Sequence, residues 1–380
     1  MAAGLGLAAA GLARLAPVVA DLSSNRLIRG DEPTVSDAAR DLHARLIVVD
    51  LHADTLLWAR NVLAESARGH VDLPRLRRGG VALQVFSSVT KVPRGLNYDT
   101  NGDDTDLITL LAITQGQPRR TWTSLLERSL HHADKLDRAA ADSGGALVRV
   151  GTSADLDRLL ASRAAGADVT GALFSVEGLH NLGGDLANLD RLEAAGVRMA
   201  GFAHFFDNAV AGSMHGRVKG GLTGLGREVF DECERRGILV DLAHASHRTV
   251  EEMLGRATRP LVSSHGGVQA TCAVNRNLTD DEIRGVAATG GVVGIGFWEG
   301  AVGALTPAAV VDAIEHVIDV GGLQTAALGS DYDGAVPMGW DTADLAILTE
   351  ELLARGHPAG DVAAVMGGNA IRVLRCSLPE

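Results

Sequence analysis

The stretch LIVVDLHAD, residues 46–54, decides the fold and gives the first candidate site of this 380-residue chain. Its apolar run is nearly continuous rather than alternating, which is typical of a parallel strand covered on both faces. Side chains two residues apart on an extended chain face the same side. The stretch therefore predicts a buried strand at 46–51, from whose end His52 and Asp54 point together toward one metal ion.

Seven further short apolar runs follow, most of them separated by segments with helical periodicity. They lie at residues 81–86, 172–176, 197–202, 238–242, 260–262, 291–296 and 326–328. Strand followed by helix, eight times, predicts an α/β fold, a (β/α)8 TIM-type barrel. The connection between strands 2 and 3, residues 89–173, carries a polar loop and at least two helices. We expect it to form a helical excursion over the barrel mouth that shapes the side-chain pockets.

No linker or internal repeat divides the chain, so residues 26–380 are predicted to form a single barrel domain after an apolar extension at 1–25. The first twenty residues lack a basic start and are interrupted by Arg14 and Pro17, so they are a poor membrane span. We favour a plain extension and a cytoplasmic location. An export signal, with Val18 and Ala20 in the small-residue pattern of a cleavage site, or a vestigial membrane anchor through residues 1–20, is the alternative.

Composition and charge exclude several classes of function. Hydrophobic residues make up 46% and charged residues 22% of the chain, so it can bury a large core. The net charge is −12, and no basic run is present that could follow a phosphate backbone, so nucleic acid is not an expected partner. The three cysteines are scattered and predict no disulfide framework. Chemistry on a small molecule is the favoured class.

Residues of the types that bind metals follow six of the eight predicted strands, where barrel enzymes place their active sites. They are His52 with Asp54, Glu177, His204, His244, His265, and Asp331 with Asp333 nearby. Each alone has an ordinary structural explanation, such as a capped histidine or a carboxylate paired with an arginine. Together, without a metal, they would leave several buried polar groups unpaired, each costing ~1–3 kcal/mol.

The histidines and carboxylates in this list exceed the four ligands of one tetrahedral zinc, so we expect two ions, with zinc as the first choice, sharing a carboxylate. Such a pair can hold a bridging water and polarise a carbonyl, which predicts hydrolysis without a covalent intermediate. Neither Ser246 nor Ser264 lies in a nucleophile elbow. Arg276, in the loop after the sixth strand, either grips a substrate carboxylate or pairs with Asp280 or Asp281.

Eight segments resemble the membrane (renal) dipeptidase family of binuclear zinc barrels, in the family's order and across residues 48–374. They are VVDLHADTLLW, SVEGLHNLGG, GVRMAGFAHFFDN, LVDLAHASH, PLVSSHGG, VNRNLTDDEIR, LGSDYDG and GGNAIRVL. A bacterial-type member is the nearer comparison, because no hydrophobic tail follows Leu374 and Cys376 has no evident partner. Two positions depart from the family pattern, Ala53 where we expect Asn and Gly266 where Ser is common, and neither is a ligand.

The resemblance implies roles for the residues at the strand ends. His52 and Asp54 would bind one zinc, His244 and His265 the other, and Glu177 would bridge them. His204 would hold the substrate carbonyl or its oxyanion, Arg276 would bind the free C-terminal carboxylate, and Asp331 would pass a proton from the bridging water to the leaving amine. Asp331, Glu177 and His204 are thus the expected catalytic residues. A homodimer is implied by the resemblance alone.

The function predicted is zinc-dependent hydrolysis, by a metal-bridging hydroxide, of dipeptides with a free C-terminal carboxylate, including those ending in a D-residue. The alternative is another metal-dependent amide hydrolase on the same barrel, acting on a lactam, an N-acyl amino acid or a natural-product intermediate. A catalytically silent binding module is disfavoured because Glu177 and Asp331 are both present.

Overall fold

A computed structural model describes residues 15–30 and 34–380 and contains one nine-stranded sheet in which every pairing is parallel. The strands are β1 (Val48–Ala53), β2 (Val81–Phe86), β3 (Leu147–Arg149), β4 (Thr170–Glu177), β5 (Val197–Gly201), β6 (Leu239–Asp241), β7 (Val262–Ser263), β8 (Val292–Ile295) and β9 (Ala326–Leu328). Eight of them follow one another in the order β1-β2-β4-β5-β6-β7-β8-β9, and β3 pairs with β4 outside that path.

The eight-strand path is nearly closed into a barrel. The end of its first strand meets the loop that follows its last strand. Ala53 of β1 forms a bridge with Tyr332, and the Asp54 amide donates to the Tyr332 carbonyl at 2.9 Å. Every residue of β1, β2 and β4 is buried, as the continuous apolar runs predict for strands covered on both faces. The (β/α)8 TIM-type fold predicted from the sequence is confirmed.

Helices surround the sheet and supply its outer layer. They are α1 (described over residues 15–24), α2 (Asp37–His43), α3 (Leu73–Arg78), α4 (Leu107–Thr114), α5 (Arg120–Thr123), α6 (Leu125–Asp142), α7 (Ser153–Ala164), α8 (Asn188–Ala194), α9 (Gly224–Arg236), α10 (His247–Arg256), α11 (Asp280–Ala288), α12 (Glu299–Val302), α13 (Pro307–Gly321), α14 (Ala346–Ala354), α15 (Ala359–Ala363) and α16 (Asn369–Ser377). Single 3-10 turns lie at Thr55–Leu57, Leu179–Leu182, Leu323–Thr325 and Thr342–Asp344, and a π-helical turn lies at Ala364–Gly368.

Local chemistry explains where these helices begin and end. At α11 the Thr279 hydroxyl accepts from the Glu282 amide at 3.3 Å while the Glu282 carboxylate accepts from the Thr279 amide at 2.8 Å, which is a capping box. At the end of α9, Gly237 adopts φ 69°, a left-handed conformation that costs glycine little. These signals fix the helices that return the chain to the start of each next strand.

The excursion between β2 and β4 contains α4, α5, α6, α7 and the short strand β3. Its first loop returns to the barrel mouth, where Val89, Val92, Leu96 and Tyr98 line the cavity described below. Residues 1–14 of the apolar extension lie outside the described residues. Within residues 15–30 and 34–380, no helix combines the length and hydrophobicity needed to cross a bilayer.

Candidate metal centre

The carboxyl ends of the barrel strands bring the predicted ligand residues to one place. His52 lies in β1 with Asp54 directly after it, and Glu177 is the last residue of β4. His204, His244, His265 and Asp331 follow β5, β6, β7 and β9. All seven side chains belong to residues that are no more than 9% exposed. The fold therefore gathers at the barrel mouth every metal-site residue that the sequence predicts.

Glu177 occupies the centre of the cluster. Its Oε1 lies 2.9 Å from His244 Nε2 and 3.2 Å from His265 Nε2, and His204 Nε2 lies 3.6 Å from the same oxygen. Its Oε2 lies 3.7 Å from His52 Nε2. Glu177 thus faces, through its two oxygens, histidines that lie at the ends of four different strands.

Three overlapping groups have ligand atoms that lie within 4.8 Å of one another. They are His52, Asp54 and Glu177; Glu177, His204 and His244; and His52, His265 and Asp331. The Nε2 atoms of His244 and His265 are also only 3.1 Å apart. Two groups share Glu177 and two share His52, so the residues form one continuous cluster.

The donor atoms of this cluster fit a metal. His52 Nε2, Asp54 Oδ1 and Glu177 Oε2 are buried and have no hydrogen-bond partner. An unpaired buried polar atom is costly, and native proteins rarely keep several together unless something binds them. Nitrogen and carboxylate oxygen without a thiolate is a donor set that suits zinc and other first-row divalent ions. A cation at this position would satisfy all three atoms.

Burial raises the pKa of the carboxylates, a shift that a cation would reverse, and lowers the pKa of the histidines, a shift that a cation would reinforce. Burial raises the pKa of Glu177 well above its usual value, and neighbouring Asp54 adds to the effect. The pKa of Asp54 is raised for the same first reason, with Asp333 contributing. Burial lowers the pKa of His244 and His265 well below the usual range, so both imidazoles are neutral and offer a lone pair.

Burial also shifts the pKa values of Asp331 and Arg276. Burial raises the pKa of Asp331 to about 8, although His52 opposes the shift. Burial lowers the pKa of Arg276, and the nearby Tyr98 and Asp331 oppose that change. Asp331 adopts φ 61°, a left-handed conformation that non-glycine residues take up rarely. Burial thus makes the Asp331 carboxylate a stronger base than that of an ordinary aspartate.

Hydrogen bonds behind the cluster orient His265. The Ser264 hydroxyl donates to Asp241 and lies 2.9 Å from His265 Nδ1, and the Ser264 amide donates to the same carboxylate at 2.8 Å. Such contacts hold the ring so that its other nitrogen faces the metal position. Ser264, which is fully buried, therefore supports His265 from behind the cluster.

Asp50 supports β1 in a related way. The sequence analysis assigned no role to Asp50 or Asp241, which are both buried. The Asp50 carboxylate accepts from the Ser330 hydroxyl at 2.6 Å and from the Ser330 amide at 2.8 Å, so it links the strand of His52 to the loop of Asp331. Asp50 and Asp241 each stand in the tripeptide Val-Asp-Leu inside an apolar run, shortly before a histidine that the sequence predicts to be a ligand. An acidic residue that recurs within a run of apolar residues was the signal in the sequence that could have identified both aspartates.

A cavity of about 130 Å³ opens onto the cluster. Its lining includes Asp54, Glu177, His204, His244, Arg276 and Asp331. The rest of its wall contains apolar and aromatic side chains that the sequence did not single out, among them Tyr98, Phe205 and Trp298. Since these come from the excursion and from loops far apart in sequence, only the fold could bring them together.

Arg276 faces this cavity and not the following helix. Its Nη2 donates to the His265 carbonyl at 2.8 Å, and its guanidinium carbon lies 5.9 Å from the Trp298 ring centre. It is 2% exposed and has no ion pair with any carboxylate of residues 15–30 and 34–380. Asp280 and Asp281, the alternative partners considered above, pair with His316 and Arg284.

The sequence matches a known family over most of its length. The family model described as membrane dipeptidase (Peptidase family M19) matches residues 36–377. Dipeptidase aclJ of Aspergillus oryzae is 28% identical over 356 residues, which cover 87% of this chain and 78% of that protein. The Schizosaccharomyces pombe protein named uncharacterized dipeptidase C965.12 is 28% identical over 320 residues, 80% of this chain and 72% of that protein.

Solved structures show the same fold. A metallopeptidase from Rhodobacter sphaeroides, liganded with a phosphinate mimic of the dipeptide L-Ala-D-Ala, matches with a TM-score of 0.72 and 24% identity, over 87% of this chain and 99% of that one. The probable dipeptidase PvdM of Pseudomonas aeruginosa matches with a TM-score of 0.75 and 19% identity, over 90% and 98%. The chain belongs to the membrane dipeptidase family, Peptidase family M19, and is a metallo-dipeptidase, a hydrolase that acts on peptide bonds.

Proposed function

We propose that this chain uses two zinc ions to hydrolyse dipeptides that carry a free C-terminal carboxylate. The observation that carries the proposal is the position of Glu177, whose two oxygens face histidines from both sides of the cluster in a cavity that also contains Arg276. A carboxylate placed between two sets of ligands would serve the metal pair, and a buried guanidinium that no carboxylate of residues 15–30 and 34–380 pairs with would serve the substrate.

The ligand assignment that we propose divides the cluster around Glu177. His52 and Asp54, whose Nε2 and Oδ1 atoms are 3.5 Å apart, would hold one ion. His244 and His265, whose Nε2 atoms are 3.1 Å apart, would hold the other, and Glu177 would contact both. When bound, such a pair of ions polarises a carbonyl group and lowers the pKa of water toward neutrality.

Three further residues have proposed roles toward the substrate. His204 lines the cavity beside Glu177 and would donate to the carbonyl oxygen as negative charge develops on it. A carboxylate oxygen of Asp331 lies within 4.8 Å of a ring nitrogen of His52 and of one of His265. Asp331 would accept the proton of the attacking water and deliver it to the leaving amine. Arg276 would bind the C-terminal carboxylate with its free N–H groups.

We further propose that the C-terminal residue of the substrate can have the D configuration. The support is the Rhodobacter sphaeroides relative, which was solved with a mimic of L-Ala-D-Ala. Arg276 contacts only the carboxylate in this proposal, so it does not by itself select the configuration at the adjacent carbon.

An N-acyl amino acid is the second candidate substrate. Leu57, Val89, Val92 and Leu96 contribute apolar side chains to the cavity, and these would pack against an acyl chain as well as against a dipeptide side chain. The carboxylate contact with Arg276 is common to both substrates, so the two candidates differ only in the acyl group on the carbonyl side of the scissile bond.

Hydrolysis rates over a matched substrate panel separate these possibilities. The panel contains L,L-dipeptides, L,D-dipeptides, N-acetyl amino acids and dipeptide amides, each measured with zinc-loaded protein. We expect cleavage of both dipeptide series and little cleavage of the amides. Cleavage of the N-acetyl amino acids alone would replace the first candidate with the second, and cleavage of none would contradict both.

A further inference from the structure

Residues 21–28, which we call the N-terminal strap, lie outside the part of the chain that the family model matches. They nevertheless contact the loop 331–338, which begins with Asp331 and contributes Gly334, Ala335 and Val336 to the cavity wall. We propose that the N-terminal strap is a positioning element that holds Asp331 in its working orientation. The proposal rests on the proposed role of Asp331.

Backbone hydrogen bonds join the strap to the far end of the loop. The Ile28 amide donates to the Met338 carbonyl at 2.8 Å, and the Met338 amide donates to the Arg26 carbonyl at 2.9 Å. The side chain of Asn25 reaches the middle of the loop, where its Oδ1 accepts from the Ala335 amide at 3.0 Å. The strap therefore binds the loop as a short parallel strand would.

A buried ionic chain joins the strap to the loop a second time. Asp21 Oδ2 lies 3.1 Å from Arg60 Nε, and Arg60 Nη2 lies 2.8 Å from Asp333 Oδ1. These three side chains are 2%, 3% and 0% exposed in that order. Asn25 Nδ2 donates to Asp21 Oδ1 at 2.9 Å, so the ionic chain and the Asn25 contact share one carboxylate.

The loop has a backbone that needs such support. Asp331, Asp333 and Ala335 adopt φ values of 61°, 63° and 61°, so three non-glycine residues within five positions occupy the left-handed region. Residues held in sparsely populated conformations persist only where surrounding contacts determine them. Asp333 is held from the barrel side by Thr55 and His70, and from the other side by Arg60 and through it by the strap.

The strap begins at Asp21, so residues 1–20 of the apolar extension are not part of it. The cleavage pattern at Val18 and Ala20 would release the preceding residues and leave Asp21 in place. Removal of residues 1–20 is thus compatible with the strap, whereas removal of residues 1–29 eliminates it. The two truncations make opposite predictions about turnover.

The experiment compares these truncations and the substitution Asp21→Asn with Asp41→Asn, the same change at an exposed position of α2. We expect removal of 1–20 and Asp41→Asn to leave kcat within about twofold of wild type, and removal of 1–29 and Asp21→Asn to lower kcat at least about tenfold with KM and metal content little changed. Hydrogen exchange at the amides of Ala335 and Met338 should become faster in the two strap variants.

A double-mutant comparison shows whether the strap acts through Asp331. In an Asp331→Asn background, Asp21→Asn should cause no further loss of kcat, because the residue that it positions is already disabled. Equal kcat for Asp21→Asn and Asp41→Asn, or a full additional loss in the Asp331→Asn background, would overturn the proposal. If the protein without residues 1–29 does not fold, the kcat of Asp21→Asn alone decides whether the proposal holds.

Failure of the proposed function gives a different result from failure of the strap. A wild-type protein that cleaves no dipeptide contradicts the proposed function, and unchanged exchange at Ala335 and Met338 in Asp21→Asn then overturns the strap independently of activity.

Discussion

Replacing Arg276 with methionine tests the carboxylate contact most sharply. Methionine keeps much of the length of the side chain and removes its charge. In the structure Arg276 Nη2 is engaged by the His265 carbonyl at 2.8 Å, which leaves the remaining N–H groups for the substrate. Two charge-assisted hydrogen bonds to a carboxylate are worth about 1.5–3 kcal/mol each. Part of that sum offsets the desolvation of a guanidinium that is only 2% exposed.

We therefore expect Arg276→Met to lose about 3 kcal/mol of transition-state binding, roughly 150-fold in kcat/KM for alanylalanine. The assay compares this dipeptide with its C-terminal amide. Because the amide lacks the group that Arg276 binds, its kcat/KM should be low in wild type and nearly unchanged in the variant. Arg284→Met, at a position where the arginine side chain is 57% exposed, serves as the matched control and should change neither value.

An equal loss on the dipeptide and on the amide would refute this reasoning. It would show that Arg276 supports the loop of His265 and does not contact the carboxylate. Metal content, measured on the same preparations, identifies that outcome, since a displaced His265 would also release metal.

Three further outcomes follow from the geometry. Asp331→Asn should lower kcat by at least about 100-fold with little change in KM or metal content, measured by steady-state kinetics and elemental analysis. Ser264→Ala removes a hydrogen-bond partner of His265 and should weaken metal affinity roughly 10- to 100-fold in a chelator competition assay. The Glu282 hydrogen bond raises the pKa of His247, so this pair stabilises the fold below the unfolded pKa and loses its contribution as pH rises through the folded pKa. The Tm gap between wild type and His247→Gln should accordingly be larger at pH 6 than at pH 8.5.

The barrel could be predicted from the sequence because parallel strands buried on both faces leave continuous apolar runs. All eight predicted runs correspond to barrel strands, although the sixth is shifted, with residues 260–262 predicted and Val262–Ser263 observed. The additional strand β3, Leu147–Arg149, was not predicted, since three residues that pair on one edge leave too short a pattern. Strand pairing in so short a segment is decided by its neighbour β4.

The cluster at the barrel mouth was predictable for a related reason. Ligand-type residues at strand ends share one edge of a parallel barrel, so their meeting follows from the fold. The residues that surround this cluster could not be predicted in the same way. Ser264 contacts Asp241 on a neighbouring strand, and Tyr98 comes from an excursion whose sequence has no periodic pattern. The resemblance to the family covered the ligands and Arg276, but not the N-terminal strap.

Metal content measured with dipeptide hydrolysis, for wild type and Glu177→Gln, tests the central claim most directly. Wild type should retain about two zinc ions per chain and cleave dipeptides, and chelation should abolish the activity until zinc is restored. Glu177→Gln removes the carboxylate that faces His52, His244 and His265, so it should lose metal and activity together. A wild-type chain that cleaves dipeptides without metal, or a Glu177→Gln variant that keeps two ions and full turnover, would contradict the account.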